Sequence, residues 1–247
     1  MERCLLSLCG ENLKIYVVKQ RSDSPATVLK GFLLASHFGP TVLVVTISFI
    51  LATTQYSVKS SLQIAAAILA GQFFVGWSND LIDYPLDLAA SRKKKPLVAG
   101  SISPRALKRG IFLALISAVG LSLVGPLGLR GSAVHGIGLI SATLYNLTLK
   151  KTIFSVIPFM ISFGAMPWAI YVSEGKSPTP WLCLGFIIFA SAFHFLNVVK
   201  DLEWDLKQGI NGLPQRFGRK RSIFTATTLA IAGILLVIFK WSQLSPA

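Results

Sequence analysis

The chain has 247 residues, 53% of them hydrophobic and only 14% charged, with 24 Lys and Arg against 10 Asp and Glu. That is too apolar for an ordinary soluble domain, and several runs reach the roughly 20 apolar residues that span a bilayer. A net charge of +14 would suggest nucleic acid in a soluble protein. Here the bases lie between apolar spans, so membrane orientation and anionic headgroups account for them, and no nucleic acid is expected.

Residues 1–24 are mixed and basic and read as a cytosolic or interfacial tail without a cleavable signal. Residues 25–247 read as one transmembrane domain, an all-α bundle of about seven spans. The first runs from about Leu29 to Thr54 and contains Ala35 to Pro40, ASHFGP, where His37 is either a ligand contact or a structural residue. The others run from about Leu62 to Tyr84, Ala106 to Val124, Ala133 to Leu149, Ile153 to Val172, Trp181 to Val199 and Ile223 to Phe239. Pro158 and Pro167 fall inside the fifth, where freed carbonyls need other partners. Cys4, Cys9 and Cys183 form no metal or redox spacing and read as free thiols.

With the N-terminus cytosolic, twenty Lys and Arg fall on the cytosolic side and four (Lys59, Arg130, Lys176, Lys240) on the other. This is a strong positive-inside bias. The second and sixth spans then end on the same side, and both end in acids. Asp80, Asp83 and Asp87 are spaced i, i+3, i+7, one helical face, and Arg92 to Lys95 follow directly. The sixth span ends with Asn197, Asp201 and Asp205. Asn79, Asp83, Asp87, Pro96 and Gly100 each recur 118 residues later, as Asn197, Asp201, Asp205, Pro214 and Gly218. One common offset in five positions indicates an internal duplication and a pseudo-repeat of helices. Two such faces can meet in a central cavity open to the cytosolic side.

Several carboxylates in one cavity repel one another, and divalent cations relieve this. Mg2+ takes oxygen ligands and usually keeps phosphate oxygens in its shell, so a metal-bound diphosphate held by Arg92, Lys94 or Lys95 is the natural occupant. An apolar chamber around an allylic diphosphate would keep water from trapping a carbocation. The plainer readings are helix capping or interfacial solvation for the acids, a topology signal for Arg92 to Lys95, an interfacial aromatic for Tyr145 and a solvated surface for Glu203.

The sequence resembles the UbiA-type intramembrane prenyltransferases. Asn79, Asp80, Asp83 and Asp87 match the first signature, NDxxDxxxD, and Lys95-Pro96-Leu97 matches the end of the basic segment after it. Asp201, Asp205, Gly209 and Gly212-Leu213-Pro214 match the second signature; its first acid falls at Val198, beside Asn197. Tyr145, Asn146 and Lys150 resemble the YxxxxK element. The resemblance covers about residues 25–222. It implies transfer of a prenyl group from its diphosphate to a lipophilic acceptor, often an aromatic ring, within membrane lipid. Asp80, Asp83, Asp87, Asp201 and Asp205 would be the catalytic acids that hold Mg2+. Arg92 and Lys95 would bind diphosphate, Tyr145 and Lys150 would line its pocket, and Asn79 and Asn197 would orient metal or substrate. The family usually has about nine spans; the shortfall after the seventh would leave the pocket more open to lipid. The protein is expected to be a multi-pass integral membrane protein, in the cell membrane if bacterial; the sequence specifies no oligomeric state. Two other classes fit the acids: transfer of another group, such as a phosphosugar, onto a polyprenyl phosphate, and an ion-coupled transporter. Acids at helix ends on one side, not at the midplane, count against the transporter.

Overall fold

A computed structural model describes residues 3–7, 14–18 and 24–244. From Ser24 onward it is helical, as the apolar runs dictate; before it, β1 (Arg3–Ser7) and β2 (Lys14–Val18) pair antiparallel with Arg3 opposite Val18. This hairpin was not expected from the sequence. Cys9 lies outside the described residues, and Cys183 is a free thiol.

The helices are α1 (Pro25–Ala35), α2 (Phe38–Thr53), α3 (Val58–Ala89), α4 (Pro104–Val124), α5 (Gly128–Leu147), α6 (Ile157–Val172), α7 (Pro180–Lys207) and α8 (Leu213–Leu244). A single 3-10 turn, Leu149–Lys151, follows α5. Among the described residues, α3, α4, α7 and the Leu213–Lys240 part of α8 are each long and apolar enough to cross a bilayer, and α1 with α2, bent at a two-residue break, is long and apolar enough as a pair either for a broken fifth span or for a re-entrant loop. The seven expected spans fall largely on helix, with the first interrupted at Ser36–His37 and Ile153 to Val156 lying in turns before α6; four or five of them meet that length and hydropathy standard, and α5 and α6 complete the bundle without meeting it. Large apolar side chains such as Val124, Leu129 and Phe224 point outward, as a lipid-facing belt requires.

Three departures from the sequence reading position the site. The first span is broken: α1 and α2 meet at 67°, with His37 left-handed at φ 52°. Gly76 makes room for the break, because a Cβ there would lie 3.1 Å from the Ser36 carbonyl oxygen. Trp77 Nε1 donates to the Phe32 carbonyl at 3.0 Å and bolts the break to α3. Second, α3 and α7 run well past the expected membrane ends, so all five motif acids sit on helix. Third, Pro158 lies in the first turn of α6, where no backbone bond is lost, and only Pro167 interrupts that helix.

The duplication is visible in the backbone. Ala90 and Gln208, 118 residues apart, cap α3 and α7 with the same angles, φ −93° and ψ 7°. The residues after them, Ser91 and Gly209, are both left-handed, at φ 52° and 71°. The Arg92 amide then returns to the Asp87 carbonyl at 3.0 Å, and the Ile210 amide to the Asp205 carbonyl at 2.9 Å. These are matching Schellman closures. Gly100 and Gly218 also share positive φ, 69° and 73°: the first lies in the turn before α4, the second at a non-helical kink inside α8.

Candidate active site

The ends of α3 and α7 face one chamber of about 560 Å3. Asn79, Asp80, Asp83, Arg92, Lys95, Tyr145, Lys150, Asn197, Asp201 and Asp205, all predicted from sequence, line it. Asp87 does not. It is buried behind the wall, and Arg92 Nη1 donates to its Oδ1 at 3.2 Å. One turn beyond Asp83 on the same face, Asp87 is drawn inward because the chain folds back over it through the Schellman closure.

The chamber is strongly paired. Lys95 Nζ donates to Asp80 Oδ1 at 2.6 Å, and Lys150 Nζ to Asp83 Oδ1. Arg92 spans the two copies: its Nη2 reaches Asp201 Oδ1 at 3.3 Å while Nη1 holds Asp87, and its guanidinium lies 4.6 Å from the Trp204 ring centre. Such a fork suits two carboxylates at once. Gln215 Nε2 donates to Asp205 Oδ2 at 2.8 Å. Among the described residues no three acid, His or Cys side chains converge closely enough to share an ion. The donor set is nonetheless all carboxylate and amide oxygen, the kind that suits Mg2+ over softer metals.

The second copy's turn carries the first copy's partner. A Cβ at Gly212 would lie 2.6 Å from the Lys150 carbonyl, so only glycine lets the turn press on that backbone. The Leu213 amide donates to Ser155 Oγ at 3.1 Å, and that hydroxyl is 3.2 Å from His194 Nε2. Together these contacts fix buried Lys150 toward Asp83. The Tyr145 ring meets Phe159 edge-on at 5.1 Å and His194 at 5.8 Å, which makes it a packed wall residue and not a belt aromatic. Asn146 is buried and donates to the Val75 carbonyl at 3.1 Å. Lys94 lines the mouth, while Lys93 and Glu203 are exposed and outside it.

Sequence reasoning undervalued three residues. The Nε2 of His37 lies 3.1 Å from Asp80 Oδ1, brought there by the α1–α2 break; a polar residue before Gly-Pro in an apolar run was the available signal. Gln215 follows the duplicated Pro214 directly, which was a signal too. Gln72 lies seven residues, two turns, before Asn79 and lines the deeper wall.

Away from this charged end the lining holds no charged side chain and is mostly apolar, with Val44, Ile68 and Met166 of one buried cluster beside the polar Gln72, His135 and Ser162. A charged mouth above an apolar shaft fits an amphiphile whose anionic head stays among the bases.

Comparison with known proteins bears on the fold and the family. The family model described as "UbiA prenyltransferase family" matches residues 26–247. A digeranylgeranylglyceryl phosphate synthase from Methanopyrus kandleri is 26% identical over 171 residues, 68% of this chain and 61% of that one. The namesake from Methanothrix thermoacetophila is 27% identical over 165 residues, 64% of this chain and 59% of that one. The chain thus spans about three fifths of the length of these curated relatives. A solved UbiA homologue from Archaeoglobus fulgidus bound to GPP and Mg2+ superposes with a TM-score of 0.73 at 15% identity, covering 88% of this chain and 79% of that one. The apo structure of a UbiA homologue from Aeropyrum pernix K1 gives 0.64 at 16% identity, covering 86% and 77%. At such identities these likenesses speak for the fold. With the family model running from the first helix to the C-terminus, the chain is an integral membrane protein that belongs to the UbiA prenyltransferase family.

Proposed function

We propose that this protein carries out Mg2+-dependent transfer of a prenyl group from its diphosphate to a lipophilic acceptor within the membrane. The observation that carries the reading is the single chamber lined by acids of both copies together with Arg92, Lys95 and Lys150. Asp80, Asp83, Asp201 and Asp205 would hold Mg2+, with Asp87 supporting from behind. The bound ion would neutralise charge on the departing diphosphate. Arg92, Lys95 and Lys150 bind the same oxygens, Lys94 waits at the mouth, and Asn79 and Asn197 orient the head. Tyr145 and the apolar wall below it exclude water from C1 of the prenyl chain. There the C1–O bond breaks with both electrons leaving on the diphosphate, the acceptor's nucleophilic atom bonds to C1, and the acceptor's proton is released.

The acceptor class has two candidates. The family resemblance suggests an aromatic ring. The name shared by the curated relatives favours an acceptor that carries glyceryl phosphate, and exposed Lys94 at the mouth would suit its anionic head. The twenty-to-four charge bias supports a cytosolic N-terminus and mouth, in the cell membrane if the source is bacterial, with residues 1–24 as a tail outside the 25–247 transferase domain.

The test is purified protein in lipid vesicles with labelled prenyl diphosphates and both acceptor classes. Product should form with one class, and EDTA should abolish it. Product that persists in EDTA, or labelled solute crossing the vesicle without product, would overturn the reading.

A further inference from the structure

Within its apolar run, α7 carries an imidazole between two phenyl rings. His194 stands between Phe193 and Phe195, is 1% exposed, and lies two turns before Asp201 on the same helical face. Its ring centre is 4.6 Å from that of Phe159 and 5.8 Å from that of Tyr145. Those two line the chamber, and His194 stays behind them. Its Nε2 is 3.2 Å from Ser155 Oγ, while its Nδ1 has no hydrogen-bond partner among the described residues. A phenyl ring would fill the same place and leave no buried nitrogen unpaired. An ionisable side chain inside a bilayer points by default to a functional contact, and here that contact is Ser155.

The duplication shows what the contact corresponds to. Ser155 stands 118 residues after His37, Pro158 after Pro40, and His194 after Gly76. In the first copy the imidazole lies just ahead of α2 and meets Asp80 of α3, and Gly76 leaves room for the break beside it. In the second copy Val198 replaces Asp80, and the imidazole lies on α7 and reaches back to Ser155, just ahead of α6. Each half thus uses one imidazole to tie the start of a helix to the acid-bearing helix that follows it.

Ser155 carries the contact to the head of the chamber. Its Oγ accepts from the Leu213 amide at 3.1 Å, in the first turn of α8, and the same turn holds Gln215 on Asp205. In the other direction the Ser155 amide donates to the Thr152 carbonyl at 3.1 Å, and the Thr152 amide to the Leu149 carbonyl at 3.0 Å. The backbone from Lys150 to Ser155 is therefore a run of tight turns with little freedom of its own. From these contacts we infer that His194 is a positioning residue: by holding Ser155 it aims the Lys150 ammonium at the donor's diphosphate. The inference rests on the donor reading above. The diphosphate is charged before the C1–O bond breaks, so a misplaced Lys150 weakens ground state and transition state alike, and the loss falls on KM and not on kcat.

The test uses the full chain in vesicles, with binding of a labelled, unreactive prenyl thiolodiphosphate in Mg2+ and steady-state kinetics for the donor. A Gln side chain places an amide atom where Nε2 lies, and an Asn side chain only where Nδ1 lies. His194→Phe and His194→Asn should each raise Kd and KM roughly tenfold with kcat little changed, while His194→Gln keeps both within about twofold, since one charged hydrogen bond is worth about that much. Ser155→Ala breaks the contact from its other end and should match His194→Phe. In a Lys150→Met background neither change should weaken binding further, because the group they aim is gone. Gln that performs no better than Asn, or a loss that persists undiminished without Lys150, would overturn the role. The Gln–Asn comparison and Ser155→Ala decide this even where the Phe variant does not fold. Binding by the wild type separates the two levels. If it binds the analogue and the variants bind equally well, the role of His194 falls alone; if it binds none, the donor reading falls and this inference with it.

Discussion

The two acid-bearing helix ends descend from one pattern, yet they sit differently. At the end of α3 the acids are sheltered: the side chains of Asp80 and Asp87 are 3–4% exposed and that of Asp83 21%, and each has a cation from its own half or from Lys150. At the end of α7, Asp201 is 56% exposed and its basic partner, Arg92, is borrowed from the first copy. The sequence explains the asymmetry. Where the first copy has Arg92 to Lys95, the second has Ile210-Asn211-Gly212-Leu213, and where the first has Asp80 the second has Val198. Duplication thus left one half furnished with acids and bases and the other with two acids and a tight glycine turn. The first half is built to hold a charged group; the second closes over it and fixes Lys150.

That contrast orders the expected effects of substitution. Asp83→Asn should be the most damaging, lowering kcat for product formation on the order of 10²–10³-fold, because it removes a charge aimed at the reacting head and strands buried Lys150. Asp201→Asn, on the open side, should cost about tenfold, recoverable at higher Mg2+; equal losses for the two would break the contrast. Arg92→Lys should raise KM for the donor by about tenfold, since an ammonium cannot fork between Asp87 and Asp201. Gly212→Ala should destabilise the fold by about 1–3 kcal/mol, read as a lowered Tm in detergent, because the new Cβ meets the Lys150 carbonyl. Glu203→Gln, exposed and outside the chamber, should change activity by less than about twofold.

Much of this was legible before any coordinates. Apolar runs gave the helices, and the 118-residue offset gave an internal duplication, which the structure extends to paired caps at Ala90 and Gln208 with the same angles. Local pattern could not give the break at His37, because apolar composition is the same in a straight span and a bent one; the bend depends on Gly76 of another helix accepting the Ser36 carbonyl. Nor could it place Asp87 behind the wall, since helical spacing fixes a face but not what folds back over it. The partners of the acids were legible as a set of bases, not as pairs, because pairing is a matter of tertiary distance. Gln215 escaped, and His37 stayed open between ligand contact and structural residue, for the same reason.

The claim beneath all of this is that the two helix ends hold one head group between them. Equilibrium binding of a labelled, unreactive prenyl thiolodiphosphate with Mg2+ tests it, comparing wild type with Asp83→Asn, Asp205→Asn and the double variant. The account predicts that each single change weakens binding and that the double change costs less than the sum of the two, as for residues serving one ligand. Binding that depends on Asp83 and is indifferent to Asp205 would contradict it.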